Sequence, residues 1–542
     1  MEAVAIFKSE DRKVMPIAVK PLFAGASFAA SLDPIPAVAR IGTPVDDGGK
    51  ESATTHVRSA CVLMGKGEFF WAAEDLYQWL KHSERLEKGC VIKVSNREFP
   101  KHSRHPGERL LLLFIQPTKV EAIEWILTNT SHPVVQLACS LAMARYCAFH
   151  NELEKAKNTL KAAKRKVAHH KIDNALFAVE QKMKGQPVPP YLDRYLGDDN
   201  GYFKERTCSM PFGRFDIDYE GGVMVCCGYY MPDTKVGNLY ESTGIEVINS
   251  SKAKDVRSSV MDGSFKHCDE LKCPFISGEQ LPWKSEVKDP VMRKAIETGD
   301  YSAPDPKHVV FGFDRTCNLS CPSCRTEMIS DNQEIRDRKT KITEESILPL
   351  LKNSGRLDIN LAGELFASKA SRALLNKLNR AEYPNLWLFI ISNGTLFTPE
   401  EWEKFPDIHD MVHTVRVSID AARPETFEKL RRGGKWDRFS SNMEFIASLR
   451  RSNKIQWFHV SFTYQLANFR EMPDFVAYAK RLGCDEVIFE KLENPGRVYS
   501  EEEYVQKAVH RPEHPLHQDF LAVIRAPAMQ DPMIVKDYRR LV

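Results

Sequence analysis

From residue 305 onward the chain repeats one unit, a short apolar, β-branched run followed by an amphipathic stretch. The runs are Val309–Phe313, Leu357–Leu361, Leu386–Ile391, Val412–Ile419, Gln456–Thr463 and Glu486–Phe489. Between them lie Glu344–Leu351, Lys369–Leu378, Pro424–Leu430, Ser441–Arg450 and Met472–Leu482, apolar at helical spacing. Such repeats predict a parallel sheet with right-handed crossovers. A closed eight-unit barrel takes roughly 250 residues, more than six units over residues 305–515 supply. The expected fold class is therefore α/β, with a partial (β/α)6 TIM-like barrel that stays open.

Barrel enzymes place their chemistry at the C-terminal ends of the strands. Here polar residues fall there, strand after strand. The second run leads into Ala362-Gly363-Glu364-Leu365, the third into Ser392-Asn393-Gly394, the fourth ends Ser418-Ile419-Asp420, and the fifth leads into Tyr464-Gln465 with Asn468 beyond. One such turn means little, because turns use these residues routinely; the ordered series means more. The first run ends at Asp314 and enters Cys317-Asn-Leu-Ser-Cys321-Pro-Ser-Cys324. Cubane iron–sulfur clusters are normally held by four cysteines, so three leave one iron open, as a catalytic metal site requires. Zinc with a distant fourth ligand, or free thiols, are the other readings of the three cysteines alone.

The spacing CxxxCxxC, followed at once by Arg325, resembles the signature of radical S-adenosylmethionine (SAM) enzymes. The resemblance implies a [4Fe–4S] cluster on Cys317, Cys321 and Cys324 whose open iron is chelated by SAM, and a six-unit partial barrel around it. Gly363 and Glu364 match the second half of that family's GGEP element, which holds the SAM amino group; Ala362 and Leu365 depart from it. By the same resemblance Ser392 and Asn393 approach SAM, Ser418 and Asp420 its ribose and carboxylate, and Gln465 and Asn468 its adenosyl group. Turn or helix-cap roles are the structural alternative for each. Cys484 sits at the N-terminal end of the sixth run and reads as a packed thiol, whereas Glu490 and Lys491 leave its C-terminal end as candidates to face substrate.

A second set of cysteines lies upstream: Cys208, Cys226, Cys227, Cys268 and Cys273, within residues 201–276. Glu220-Gly221-Gly222 between two apolar runs predicts a β-hairpin. Neighbouring strand residues face opposite ways, so one of Cys226 and Cys227 is expected to be spare; the other four cysteines complete a cluster. The order cysteine, hairpin, cysteine, Gly237-Asn238-Leu239 and closing cysteine pair resembles a SPASM or twitch module, the auxiliary iron–sulfur module of many radical SAM enzymes. It departs from the usual case by preceding the barrel and by having cysteines for one cluster. A structural zinc ribbon is the alternative. Disulfides fit poorly, since the thiols fall in metal-like groups.

A chain of 542 residues is too long for one core. Ahead of the cysteine-rich β-hairpin module, residues 119–190 predict an α-helical domain, with Val134, Leu137, Ala138, Leu141, Ala142 and Cys147 on one buried face and Leu160, Ala163 and Val167 on another. Residues 1–118 read as an irregular, mixed N-terminal region in which 20–32 carry only a faint leader character; 277–304 read as a linker and 516–542 as a C-terminal tail. The 76 basic and 73 acidic residues leave a net charge of +3, against a nucleic-acid or membrane-surface role driven by bulk charge. No apolar run approaches the ~20 residues of a spanning helix, so a cytoplasmic protein without membrane partners is expected.

The resemblance to radical SAM enzymes implies an enzyme that reductively cleaves SAM to a 5′-deoxyadenosyl radical and abstracts hydrogen, drawing its electron from a flavodoxin- or ferredoxin-type donor. Hydrogen abstraction needs no general base, so no catalytic residue beyond the cluster ligands is expected. The resemblance favours a peptide or protein substrate. Alternatives are dehydrogenation or epimerisation of a sugar or aminoglycoside and, in another class, an inactive zinc-stabilised binding scaffold.

Overall fold

The computed structural model describes residues 63, 69–82, 91–95, 109–113, 119–129, 132–197, 200–228, 231, 234–359, 362–494 and 498–536. Residues 20–32 lie outside the described residues. The chain divides into two compact units, one formed by residues 1–208, 229–232 and 259–287, the other by 209–228, 233–258 and 288–542.

The first unit is mainly helical. It contains α1 (Phe69–His82), an antiparallel pair β1 (Val91–Ser95) and β2 (Arg109–Leu113), then α2 (Lys119–Asn129), α3 (Pro133–Phe149), α4 (Leu153–Lys166) and α5 (His170–Met183). Four of these helices, α2 to α5, lie within the span 119–190 that reads as helical in the sequence. One expectation changes: α3 is buried along its whole run from Val135 to Ala148 rather than on one face. A helix apolar all round belongs inside a bundle, and α1, α2 and α4 pack against it. α4 instead shows the amphipathic pattern, with Ala156, Leu160 and Ala163 inward and its lysines outward.

The second unit is built on one ten-stranded sheet. Its strands are β3 (Arg214–Ile217), β4 (Gly222–Met224), β5 (Lys235–Asn238), β6 (His308–Phe311), β7 (Arg356–Ile359), β8 (Trp387–Ser392), β9 (Val412–Ser418), β10 (Trp457–Tyr464), β11 (Glu486–Lys491) and β12 (Ile534–Lys536). The order is β12-β11-β10-β9-β8-β7-β6-β3-β4-β5. Every pairing from β12 to β3 is parallel, and only β3–β4 and β4–β5 are antiparallel. The helices α6 (Gln333–Ile342), α7 (Lys369–Leu375), α8 (Pro424–Leu430), α9 (Trp436–Arg451) and α10 (Met472–Leu482) lie on the crossovers between β6 and β11.

The six predicted strands are β6 to β11, and two expectations are corrected around them. The hairpin is not a separate module: β3 pairs in parallel with β6, Phe215 opposite Val309, so the hairpin extends the barrel sheet. The tail is not mere tail, because Ile534–Lys536 pairs with Val487–Phe489 at the other edge. Eight parallel strands result, and the sheet stays open, with β12 at one edge and β5 at the other. The core is apolar and β-branched, with Val309, Phe311, Leu357, Ile359, Leu388, Ile390, Val415, Val417, Phe458, Val460 and Phe462 all inaccessible.

Candidate active site

The cysteine loop follows β6. Its first turn is braced by Asp314, a buried carboxylate that accepts hydrogen bonds from the Thr316 N–H at 2.8 Å and the Ser368 hydroxyl at 2.5 Å. The Cys317 N–H donates to the Ile329 carbonyl at 3.0 Å, and the N–H groups of Cys324 and Arg325 share the Cys321 carbonyl at 2.9 and 3.0 Å. Each thiol meets N–H donors. Leu319 N lies 3.5 Å and Asn393 Nδ2 3.7 Å from Cys317 Sγ, and Arg431 Nη1 lies 3.9 Å from Cys321 Sγ. Arg325 places both Nε and Nη2 3.4 Å from Cys324 Sγ. Burial pushes the Cys317 and Cys321 thiols up, while the Arg325 and Arg431 guanidiniums pull them down. A bound metal deprotonates such thiols outright.

This donor set fits a cluster. Among the described residues no three His, Cys, Asp or Glu side chains are arranged to hold a single metal ion. A cubane asks instead for one thiolate per iron, and N–H donors to its sulfurs tune its charge.

Glu364 follows β7 and is fully buried. Its carboxylate accepts from the Ser392 hydroxyl at 2.8 Å and the Asn393 N–H at 2.6 Å, and the Ser392 oxygen in turn accepts from the Gly394 N–H. Burial outweighs these bonds and pushes its carboxyl up to about 7. The backbone beside it is tight: a Cβ on Gly363 would stand 2.6 Å from the carbonyl oxygens of both Asp314 and Thr316. Arg325 spans the same gap, donating to the Arg315 carbonyl at 2.6 Å and the Ala362 carbonyl at 2.7 Å. The departures at Ala362 and Leu365 are absorbed there, since Ala362 serves through its carbonyl and Leu365 is core.

Asp420 leaves β9 with φ of 65°, a left-handed conformation that Asp tolerates better than most residues. Its carboxylate accepts from the Thr463 N–H at 2.7 Å and pairs with Arg431 at 2.8 Å. Asn468 donates to the carbonyls of Asp420 and Thr463 and accepts from the Gln465 N–H, so all its bonds are within the protein. Gln465 is buried beside it, and the Ser418 hydroxyl lies 3.3 Å from that of Ser461 on the next strand. At the sheet end, Glu490 pairs with Arg416 at 2.6 Å and Lys491 with Glu493 at 3.0 Å. Cys484 is buried just before β11, and burial raises its thiol strongly.

Sequence reasoning missed Arg431 and gave Arg325 no role. The segment Arg431-Arg-Gly-Gly434 carried a signal, because its glycines let it approach closely. Gly433 adopts φ of 103°, and a Cβ there would stand 3.4 Å from the Asn318 carbonyl. Arg432 donates through its side chain to the Ser320 hydroxyl and accepts from the Ser320 N–H on its carbonyl, both at 3.0 Å.

The upstream cysteines fall in both units. Cys226 and Cys227 belong to the second, and there an expectation is corrected. β4 ends at Met224, so the two cysteines follow the strand, and strand alternation does not decide between them. Cys226 is buried and Cys227 partly exposed. Cys208, Cys268 and Cys273 belong to the first unit. Burial raises the Cys273 thiol, and the backbone N–H groups of Ile276 and Phe275 pull it partly back down. Between Cys268 and Cys273, the fully buried Glu270 pairs with Lys171 and accepts from Asn174 and from the Tyr195 hydroxyl at 3.0 Å, which fixes this loop on α5.

Residues 208–274 match the family model of SPASM, an iron-sulfur cluster-binding domain. The chain resembles the radical SAM enzymes that carry a SPASM module. Iron–sulfur clusters and SAM are the cofactors of that resemblance. None of the curated proteins matches the chain. Among solved structures it is similar to Streptococcus suis SuiB bound to S-adenosylmethionine, at 14% identity over 41% of this chain and 45% of that one, with a TM-score of 0.26. It is also similar to anSMEcpe with bound AdoMet (18% identity, 35% and 51% covered, TM-score 0.26). A third is TYW1 with a lysine-pyruvate adduct bound (15% identity, 36% and 66% covered, TM-score 0.25). The chain thus spans about half the length of the first of these structures. Among the described residues no helix is long and apolar enough to cross a membrane.

Proposed function

We propose that this protein is a radical SAM enzyme that modifies a peptide or protein substrate. The observation that carries this reading is the meeting of the three-thiol loop and the buried Glu364 at one end of one parallel sheet, with Asn393 touching both. Its side chain lies 3.7 Å from Cys317 Sγ and its N–H 2.6 Å from Glu364.

Cys317, Cys321 and Cys324 would hold the [4Fe–4S] cluster as thiolates. When bound, that cluster would supply the single electron for reductive cleavage of the SAM C–S bond, with methionine as the leaving group, the chemistry that allows a hydrogen atom to be taken from substrate. Arg325 and Arg431 offset the thiolates' charge at their sulfurs. Glu364 would accept from the SAM amino group, with Ser392 and Asn393 aiming it. Asp420 and Ser418 would serve the ribose and carboxylate of SAM, and Gln465 its adenosyl group. Asn468 acts as the brace of that corner. Keeping water and oxygen from these groups would be the protein's share of cofactor chemistry of this kind.

One further cluster would belong to the SPASM match over residues 208–274, and a flavodoxin- or ferredoxin-type donor would supply electrons. The SPASM match supports the peptide class, because that module accompanies peptide modification in the enzymes this chain resembles. Solved structures to which the chain is similar include SuiB bound to precursor peptide SuiA and anSMEcpe with a Kp18Cys peptide.

The test is 5′-deoxyadenosine formation by anaerobic, iron-loaded protein under a strong reductant, beside the Cys317→Ala, Cys321→Ala, Cys324→Ala triple variant. Product from the wild type alone supports the reading. Iron should fall by about four per chain in the variant, as loss of one cubane requires. A fully loaded wild type that forms no product points to the scaffold alternative.

A further inference from the structure

At the strand starts, the opposite end of the sheet from the cysteine loop, lies a cavity of about 500 Å³. Its lining includes Trp387, Phe389, Trp457, His459, Arg356 and Glu486. The N-terminal end of a barrel is ordinarily where side chains serve stability, and an exposed tryptophan there is unexpected. Here two of them, Trp387 and Trp457, stay 44% and 43% exposed. They begin β8 and β10, which flank β9, so they stand on either side of one intervening strand.

Among the charged residues lining this cavity, Arg356 is held by Asp358 through two hydrogen bonds at 2.6 and 3.1 Å. That leaves Glu486, whose carboxylate lies 3.5 Å from His459 Nε2. His459 is 9% exposed, and this Nε2 makes no hydrogen bond. Burial holds its imidazole down to about 4, so it stays neutral and does not compensate the carboxylate. A partly exposed carboxylate and an unsatisfied ring nitrogen therefore sit beside aromatic rings at a cavity mouth. Rings attract cations over their faces, and a planar fork of N–H donors matches a carboxylate in two bonds. The rings already show the first preference, with the Arg356 guanidinium 4.6 Å above Phe389 and that of Arg380 4.6 Å above Trp387.

We propose that this cavity is a second ligand site, separate from the cysteine end, for a small planar aromatic cation of the amidine or amino-heterocycle type. The ring inserts beside Trp457 and Trp387, and its N–H fork meets Glu486. The site does not depend on the radical SAM reading.

The test is calorimetric titration of the full chain with 2-aminobenzimidazole, and with benzimidazole as the control that lacks the amino donor. Expected is saturable one-to-one binding of the first, weaker for benzimidazole by about tenfold or more, as loss of one charged pair predicts. Glu486→Gln and Trp457→Ala should each cost a similar factor, while Trp457→Phe, which keeps a ring, retains most of the affinity. Saturating S-adenosylhomocysteine should leave the binding unchanged. The proposal is overturned if no binding is seen up to 1 mM, if both ligands bind alike, if folded Glu486→Gln and Trp457→Ala proteins bind as the wild type does, or if S-adenosylhomocysteine competes.

Discussion

Glu364 and Gly363 show how much one residue position can fix. The carboxyl of Glu364, raised by burial to about 7, holds its proton in the folded chain over a range where an unfolded one has released it. Its contribution to stability is therefore full below the ordinary glutamate range near pH 4.5 and is lost as pH rises to about 7, levelling beyond. At roughly 1.4 kcal/mol per unit the loss is on the order of 3 kcal/mol. Urea midpoints for metal-free wild type and Glu364→Gln, taken from pH 5 to 8, should diverge up to about 7 and run parallel above it; curves parallel throughout would refute this. Gly363 makes a steric demand instead. Its absent Cβ would stand 2.6 Å from two backbone carbonyl oxygens, which cannot swing aside as a side chain can. Gly363→Ala should cost about 1–3 kcal/mol, as other forced insertions into packed sites do. An unchanged denaturation midpoint would show that the loop yields.

At the scale of elements, the strands β6 to β11 were legible because each is a compact β-branched run followed by a helical pattern. β3 and β12 were not. Arg214-Phe-Asp-Ile alternates polar with apolar residues, the pattern of a half-exposed strand in a hairpin, and nothing local says that its other edge pairs in parallel with β6. Ile534-Val-Lys is only three residues long. Glu364, Asn393 and Asp420 could be picked out because they follow strands. Arg431 was missed despite its neighbouring glycines, since a basic pair ahead of them reads first as a solvated loop, and its partners Cys321 and Asp420 come from other elements. That pairing is open to test. Asp420→Asn keeps a side chain that accepts the left-handed backbone but leaves the Arg431 charge uncompensated, and breaking a buried pair in this way costs about 3–5 kcal/mol. A loss below 1 kcal/mol in chemical denaturation would mean that the pair is dispensable.

For the molecule as a whole, the decisive feature of the second unit is that one hydrogen-bonded sheet carries the cysteine-rich hairpin and the barrel strands. Strands sharing a ladder tend to open together. Hydrogen exchange should therefore protect the paired amides of β3 and β6 to a similar degree, whereas a hairpin only resting on the barrel would exchange much faster. The same ladder sets a rule for shortening the protein. A chain begun at residue 288, tidy by sequence because it retains all six predicted units, would strip β3 from β6. The backbone groups of His308 to Phe311 would then lie bare along an apolar parallel strand, the kind of uncovered border through which sheets recruit one another. Insolubility of such a fragment would be a consequence of its missing neighbour, and a start ahead of Arg214 is the remedy that the strand order dictates.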